Sequence, residues 1–320
     1  MLSKNSLMSS GKSKAKASPS PLASPRSPKP PGKPVLQAAP VRLLVGTSDW
    51  LVKGLEVDLT SGATLNTTPD LEGHKQVVQC MSVDWFGQQL MTGGGDGMSR
   101  LWNLSEGECL LQVQVSKTFV VRVRDMGKAR RHVWSDAIDG TSSPVHCMQV
   151  SWSRGLAVCG CESGCVFLWD FHKALMLQKA KKRKLKLSTL ELFAAATERV
   201  FEAHKRGVLS VTVAWRKHVM LTASFDKTIN VFDMRTGECL GTLAGHLAYV
   251  RCCAIDEGSG MHALSGSGDG TLKVWNLSSM ESVRTLKGHT STVQALSVQW
   301  ADRLALSGSG DAILLLWDLS

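Results

Sequence analysis

From residue 41 onward, short apolar segments alternate with Gly-rich polar turns, of which residues 265–270 (SGSGDG) are an example. Segments this short predict β-strands, and the glycines beside Asp96 and Asp269 suit turn positions that require a positive φ. A single small sheet exposes both of its faces and two edges, so such sheets must pack against one another. The pattern therefore predicts an all-β protein built from several small sheets.

The apolar pattern repeats with a fixed spacing of polar residues. Each of four stretches contains a His, an Asp 22 or 23 residues later, an aromatic residue six positions after the Asp, and a Ser or Thr four positions before it. Self-similarity of this kind is typical of repeat architectures. The four sets are His74, Thr92, Asp96 and Trp102; His204, Thr222, Asp226 and Phe232; His246, Ser265, Asp269 and Trp275; and His289, Ser307, Asp311 and Trp317.

This spacing resembles the WD-repeat (β-transducin-like) family, and the resemblance extends over about residues 41–320. It implies a β-propeller with four-stranded blades, in which the His, the Ser or Thr, the Asp and the Trp of a blade form a hydrogen-bonded structural tetrad. Three of the four sets are complete. The remaining set has Phe232, and because phenylalanine has no N–H donor we expect only a triad there.

Two further repeats depart from the pattern. In a degenerate repeat, Thr141 stands at the His position, Ser163 at the Asp position and Cys159 at the Ser or Thr position. Losing the His and the Asp together avoids a buried carboxylate without a partner. Residues 43–59 match only the last part of a repeat, with Asp49 as the turn residue.

These six recognisable repeats, counting the partial and the degenerate one, leave open a ring of six or seven blades or an incomplete ring. The chain ends on the third strand of the last repeat. The outer strand of that blade is expected either to come from the N-terminal part of the domain or to be absent.

Two insertions interrupt the period, at about residues 116–139 and 172–195. Neither is long enough for a whole blade of about 40 residues. The period places the first in the loop that leads into the next blade, and the second between the third and fourth strands of its own blade, on the opposite face. The second contains residues 179–187 (KAKKRKLKL) and then residues 188–201 (STLELFAAATERVF), which we predict to form a helix.

The positive charge is concentrated outside the repeats. Lys and Arg number 37 against 27 Asp and Glu, but residues 1–40 contain seven basic and no acidic residues, and residues 171–200 hold a second basic excess. This distribution argues against a uniformly basic nucleic-acid-binding domain. Residues 1–40 also contain eight of the ten prolines, so we predict a disordered basic tail. A solubilising tail and a targeting segment both remain open for it.

Two groups of residues are candidates for modification and targeting. Four serines precede prolines in the tail and are candidate phosphosites: Ser18, Ser20, Ser24 and Ser27. A basic run is a candidate nuclear signal, with binding to RNA or anionic lipid, or a plain solvated loop, as alternatives: Lys181, Lys182, Arg183 and Lys184. Nine cysteines in a chain of this length indicate reduced thiols, so we expect an intracellular protein, nuclear or cytoplasmic.

Several motifs suggest chemistry that the repeat register explains otherwise. Residues 93–97 and 266–270 resemble phosphate-binding loops but fall in turns between strands. Cys159 and Cys161 occupy ordinary strand positions, although their spacing suggests a metal site. The His–Asp pairs recur in every blade, whereas catalysis needs one site. We therefore expect no enzyme, no metal, no cofactor and no small-molecule substrate, and no apolar run is long enough for membrane insertion.

The resemblance implies a non-catalytic scaffold that binds other proteins or peptides within a multiprotein complex. Candidate partner-binding residues lie beside the His and Asp positions: Lys75, Lys205, Phe225 and Tyr249. Aromatic rings among lysines suit an acidic or phosphorylated peptide. The alternatives are an RNA-associated ribonucleoprotein or ribosome-assembly factor that uses the basic tail and loop, a substrate receptor of a ubiquitin ligase, and the binding end of a longer protein.

Overall fold

The computed structural model describes residues 41–47, 49–57, 63–66, 69–115, 143–181 and 189–320. The predicted tail with its four candidate phosphosites, the insertion at 116–139, Thr141, and residues 182–184 of the basic run lie outside these residues. The described residues form six small antiparallel sheets arranged as the blades of a propeller. This confirms the predicted all-β propeller class.

Each blade is built from strands that are consecutive in the chain. The first blade contains β1 (Val41–Gly46), β2 (Val52–Val57) and β3 (Thr64–Asn66). The second contains β4 (Val78–Asp84), β5 (Gln89–Gly94), β6 (Met98–Asn103) and β7 (Cys109–Gln114), and the third β8 (Val145–Ser151), β9 (Leu156–Cys161), β10 (Cys165–Asp170) and β11 (Thr197–Glu202).

The remaining blades follow the same plan. The fourth contains β12 (Val208–Ala214), β13 (Val219–Ser224), β14 (Ile229–Asp233) and β15 (Cys239–Leu243), the fifth β16 (Val250–Ile255), β17 (His262–Ser267), β18 (Thr271–Asn276) and β19 (Glu281–Lys287), and the sixth β20 (Val293–Gln299), β21 (Leu304–Ser309) and β22 (Leu314–Asp318).

The first and sixth blades have three strands each among the described residues, whereas the other four blades have four. The strands nearest the N-terminus, β1 to β3, pair with one another in a sheet of their own. They do not supply an outer strand next to β22. Among the described residues, no strand pairs with β22 on its outer side.

The core lies between neighbouring blades. The strands β4, β8, β12, β16 and β20 lie next to one another in this order, so they form the inner ends of their blades. Because successive strand residues point to opposite faces, an inner blade buries both faces of its sheet, and β5, β9, β13 and β17 are almost entirely buried. Burial of this apolar surface is the main stabilising term for such sheets.

Two helices, α1 (Phe171–Lys181) and α2 (Thr189–Ala196), lie in the chain between β10 and β11. Phe193 is buried, and its ring lies 5.6 Å from that of Trp169 and 5.4 Å from that of Phe167, centroid to centroid. α2 also packs against β7, so it covers the second and third blades together. Lys181 is the last residue of α1.

The predicted helix over residues 188–201 is too long. α2 ends at Ala196, and residues 197–202 form β11, which pairs with β10. The physical reason is that Val200 and Phe201 have high β propensity and β10 offers an unpaired edge. Pairing with β10, in which Phe201 lies opposite Val166, stabilises these residues as a strand rather than as another helical turn.

Candidate functional site

The fifth blade brings its four predicted tetrad residues together. The Trp275 indole N–H donates to Ser265 Oγ at 2.8 Å, and Ser265 Oγ lies 2.8 Å from His246 Nε2. His246 Nδ1 lies 3.0 Å from Asp269 Oδ2. Since a carboxylate only accepts, Nδ1 carries the proton, and the serine hydroxyl donates to Nε2. The chain of hydrogen bonds thus links strand β17, strand β18, the turn between them and the loop before β16.

The pKa values in this tetrad fit that assignment. Burial lowers the pKa of His246 below its usual 6.5, so the imidazole is neutral at pH 7. Burial by itself raises the pKa of Asp269, but hydrogen bonds from the Thr271 hydroxyl and the Leu247 amide outweigh it and hold the pKa at about 2. A neutral histidine and an ionised aspartate are therefore the stable pair.

The sixth and fourth blades repeat the arrangement with one difference. In the sixth, His289 lies 3.0 Å from Asp311 and 2.8 Å from Ser307, which accepts from Trp317 at 2.7 Å. The fourth blade has only the triad: His204 lies 2.8 Å from Asp226 and 2.9 Å from Thr222. There the Phe232 ring packs against Phe201 at 5.3 Å instead of donating a hydrogen bond.

In the second blade, Arg100 joins the tetrad. His74 Nε2 lies 2.8 Å from Thr92 Oγ1, which accepts from Trp102, and His74 Nδ1 lies 3.0 Å from Asp96. The guanidinium of Arg100 is buried and donates to Asp96 at 3.0 Å. Burial raises the pKa of Asp96, but the hydrogen bond from His74 and the charge of Arg100 hold it well below its usual range. Sequence reasoning missed Arg100, although its position four residues after the Asp was visible.

The third blade forms a substitute contact at its degenerate positions. The Trp169 indole N–H donates to Cys159 Sγ at 3.3 Å, so the thiol takes the place of the strand hydroxyl. The Ser163 amide donates to Ser143 Oγ at 3.1 Å, a buried hydroxyl that sequence reasoning missed. Burial raises the pKa of Cys159 to about 12, so this thiol stays protonated. Among the described residues, no group of three or more His, Cys, Asp or Glu is arranged to hold a metal ion.

The order Asp, His, Ser in the fifth and sixth blades is that of a hydrolytic relay, but its surroundings are not. Ser265 and Ser307 are fully buried, and each hydroxyl already accepts a tryptophan N–H. A nucleophile must reach its substrate and be free of such a donor. These hydrogen bonds therefore have a structural role, because they connect the turns to the strands.

A second cluster lies beside the turn aspartates, on the face that also contains the loops leading into the blades. The rings of Phe225 and Tyr249 are half-buried, with centroids 5.5 Å apart. The guanidinium of Arg206 lies 5.8 Å from the Phe225 centroid, and the Tyr249 hydroxyl lies 3.2 Å from Thr292 Oγ1. We call Arg206, Phe225, Tyr249 and Thr292 the aromatic cluster; it runs across the fourth, fifth and sixth blades.

The structure brings two of the four candidate partner-binding residues into direct contact, Phe225 and Tyr249. Lys205 is exposed and precedes Arg206 in the same loop. Lys75 is exposed in the corresponding loop of the second blade, where its amide donates to Asp96. Sequence reasoning missed Arg206 and Thr292, because only the fold shows which loops lie side by side.

No helix in the described ranges is long and apolar enough to cross a membrane.

The model of the family described as "WD domain, G-beta repeat" matches this chain at four places: residues 64–103, 196–233, 237–276 and 280–318. Each match begins at the last strand of one blade and contains the His and Asp of the next, which is the second, fourth, fifth or sixth blade. Of the first and third blades, which the sequence identifies as partial and degenerate, only the last strands, β3 and β11, fall within the matches.

Three curated proteins illustrate the similarity. Mitochondrial division protein 1 of Aspergillus oryzae is 31% identical over 85 residues, which is 27% of this chain and 13% of that protein. Zinc finger CCCH domain-containing protein 17 of Oryza sativa is 25% identical over 196 residues, 56% of this chain and 39% of that protein. A CCR4-associated factor 4 homolog of Vanderwaltozyma polyspora is 24% identical over 170 residues, which is 53% of this chain and 21% of that protein. The alignments thus span well under half of each relative.

Proposed function

Because the chain belongs to the WD-repeat β-propeller family, we propose that it is a non-catalytic platform that holds partner proteins in a multiprotein complex. The surface proposed for binding is the face that contains the turn aspartates and the loops leading into the blades. The same framework that buries the tetrads makes this face rigid, so that partner binding costs little ordering entropy.

The observation that carries this proposal is the aromatic cluster. Half-exposed aromatic rings that are already held in place lose little freedom on binding, which is why such residues concentrate the binding energy of interfaces. Phe225 is held by Arg206 and Tyr249, and Tyr249 is held by Thr292. The cluster therefore offers a preformed apolar surface.

The charges around the cluster favour an acidic or phosphorylated peptide as partner. Lys205, Arg206 and Arg251 are exposed on adjacent loops and strand ends. Phosphate and carboxylate groups bind such cations, with arginine giving the more directional hydrogen bonds. We propose that Phe225 and Tyr249 contact apolar side chains of the peptide while these cations bind its acidic groups.

The test is affinity purification with mass spectrometry, comparing the wild-type chain with a Tyr249→Ala, Lys205→Ala double variant. We expect the variant to recover at least several-fold less of the specific partners, because it removes one ring of the pair and one cation. Phosphatase treatment of the extract should reduce recovery further if the partner is phosphorylated.

The matched control is Phe86→Ala with Lys217→Ala. Both residues are exposed in turns at the other ends of the strands, so this variant removes the same kinds of side chain from the opposite face. Equal recovery by the two double variants would contradict the proposed surface. Recovery of RNA that falls steeply as salt rises would favour the RNA-associated alternative.

A further inference from the structure

At three of the junctions between consecutive blades, a glycine lies against a valine of the next blade. At the junction of the fourth and fifth blades, Ala223 stands at the position of the glycine. A Cβ placed on Gly93 would lie 2.7 Å from Val145 Cγ1, and one on Gly160 would lie 2.8 Å from Val208 Cγ1. One on Gly266 would lie 2.6 Å from Val293 Cγ1. In each case the glycine is on the second strand of its blade, and the valine begins the inner strand of the next blade.

A small residue on the inner strand completes each contact. Cys80 Sγ lies 3.8 Å from the Gly93 carbonyl of its own blade and 3.8 Å from the Val145 carbonyl of the next. Cys147 and Cys252 lie in the same way between their own glycine and the following valine. We call this set of small residue, glycine and valine the blade junction.

The first blade has the glycine of a junction, but no inner strand lies beside it among the described residues. A Cβ on Gly46 would lie 3.3 Å from Cβ of Val78, the residue that begins the inner strand of the second blade. Gly46 is on β1, so β1 corresponds to the second strand of the other blades. In the described part of the chain, β1 is therefore an edge strand where the other blades have an inner strand beside it.

The sixth blade has the small residue and the glycine, but no valine from the described part of the chain lies against them. Ala295 pairs with Gly308, yet of the residues that the structure describes a Cβ on Gly308 would meet Leu314 alone, at 3.1 Å. Around it, Leu314 and Leu316 are 70% and 69% exposed. Their register equivalents in the fifth blade, Leu272 and Val274, are covered by the sixth blade, and Leu272 is fully buried.

We propose that this face of the sixth blade docks an extended strand from a second protein, which pairs with β1 and places a β-branched apolar residue over Gly308. One occupant accounts for both features, because at every other junction the inner strand of one blade covers the face of the blade before it. Adding a strand to an exposed edge is an established mode of peptide recognition. The surface is separate from the aromatic cluster.

The sequence just before β1 argues for a second protein as the source. In the second blade, four residues separate the inner strand from the next strand. The same spacing would place an inner strand from this chain at about residues 30–36, which include Pro30, Pro31 and Pro34. Proline has no N–H to donate to a sheet ladder, so these residues are poorly suited to the position.

The test uses a fluorescent peptide with the sequence of residues 289–301, because β20 within it covers the equivalent face of the fifth blade. Fluorescence anisotropy with the full chain should show saturable binding. Gly308→Leu, which fills the space above the glycine, and Leu316→Asp should each weaken binding at least tenfold. Val283→Asp, at a residue 66% exposed on β19, should leave it unchanged.

Two measurements on the free chain exclude other occupants. The melting temperature of Leu316→Asp should equal that of the wild type, and both should be monomers by light scattering. A lower melting temperature would mean that the chain itself covers this face, and a dimer that Leu316→Asp dissociates would mean that a second copy does. Either result, or peptide binding indifferent to Gly308→Leu, would overturn the proposal.

Discussion

The ionised aspartate of a tetrad holds together the turn in which it lies and the loop that leads into its blade. Asp269 accepts hydrogen bonds from His246, from the Thr271 hydroxyl and from the Leu247 amide. Losing the carboxylate leaves the donors of the buried His246 and the half-buried Thr271 without this partner, and an unsatisfied buried donor costs more free energy than the hydrogen bond itself contributes.

Asp269→Ala should therefore lower the free energy of unfolding by about 2–3 kcal/mol, as expected for hydrogen bonds to a charged group. Asp269→Asn keeps one acceptor and should cost less. Thermal melts measure the total effect, and hydrogen exchange should show faster exchange in β17 and β18 than in β4. An unchanged melting temperature for Asp269→Ala would contradict the role assigned to the tetrad.

The lowered pKa values predict a loss of stability in acid. His246 has a folded pKa below 6.5, so below that pH the unfolded chain binds a proton that the folded chain does not, and stability falls as pH falls. Asp269 adds a second loss below 3.8. Urea unfolding at pH 7.5 and pH 5.5 should show a smaller decrease for His246→Gln than for the wild type. An equal decrease would contradict the neutral imidazole.

Gly164 occupies a turn that no other residue fits. Its φ is +82°, and a Cβ would overlap the His204 carbonyl oxygen. Gly164→Ala should cost roughly 1–3 kcal/mol for the backbone conformation alone, with displacement of His204 in addition. Gly258→Ala is the control, because Gly258 has an ordinary φ and its nearest contact is at 3.3 Å; we expect a change within about 0.5 kcal/mol. Equal denaturation midpoints for the two variants would refute this explanation.

The residues that could be assigned from sequence are those with a fixed offset. His246, Ser265, Asp269 and Trp275 follow from spacing because each repeat places them at the same points of the same strands. Arg100 and Ser143 have no counterparts in the other repeats, so only the folded structure reveals their contacts. A repeat pattern predicts the contacts that all of its copies share, but it does not predict a contact that occurs in one copy alone.

At the level of elements, the two helices inserted in the third blade act as part of the core. Leu192, Phe193 and Ala196 of α2 are buried together with Leu111 of the second blade and Trp169 of the third. The insertion thus packs across two blades, whereas a solvent-exposed insertion would contribute nothing to either.

Phe193→Ala should reduce the free energy of unfolding by about 3–5 kcal/mol, the usual cost of removing a buried aromatic ring. Phe86→Ala removes the same side chain from a fully exposed turn and should change stability by less than about 0.5 kcal/mol. Chemical denaturation of both variants measures the difference. Similar values would mean that α2 is not packed against the blades.

The limits of elements were harder to predict than their type. The apolar residues of 188–201 are compatible with a helix throughout, but the last five belong to β11 because β10 pairs with them. Sequence periodicity is local, whereas strand pairing joins residues that are distant in the chain.

At the level of the whole molecule, the blades differ in what holds them. The second, fifth and sixth rely on complete tetrads, the fourth on a triad with an aromatic pair, and the third on a thiol, a serine and α2. The propeller class followed from the resemblance of the repeats to the WD-repeat family. The exposed face of the sixth blade could not be predicted, because residues such as Leu314 look like ordinary core residues in the sequence.

The third blade also has a consequence for how the protein can change. The helices supply hydrophobic packing to this blade, so its stability depends less on the tetrad residues. Ser163 accordingly stands where the counterparts in other blades are aspartates. Saturation mutagenesis should therefore find that the third blade tolerates substitutions at these positions better than the second, fourth, fifth and sixth blades do. New binding specificities would evolve most readily in the third blade, since substitutions there leave the other blades undisturbed.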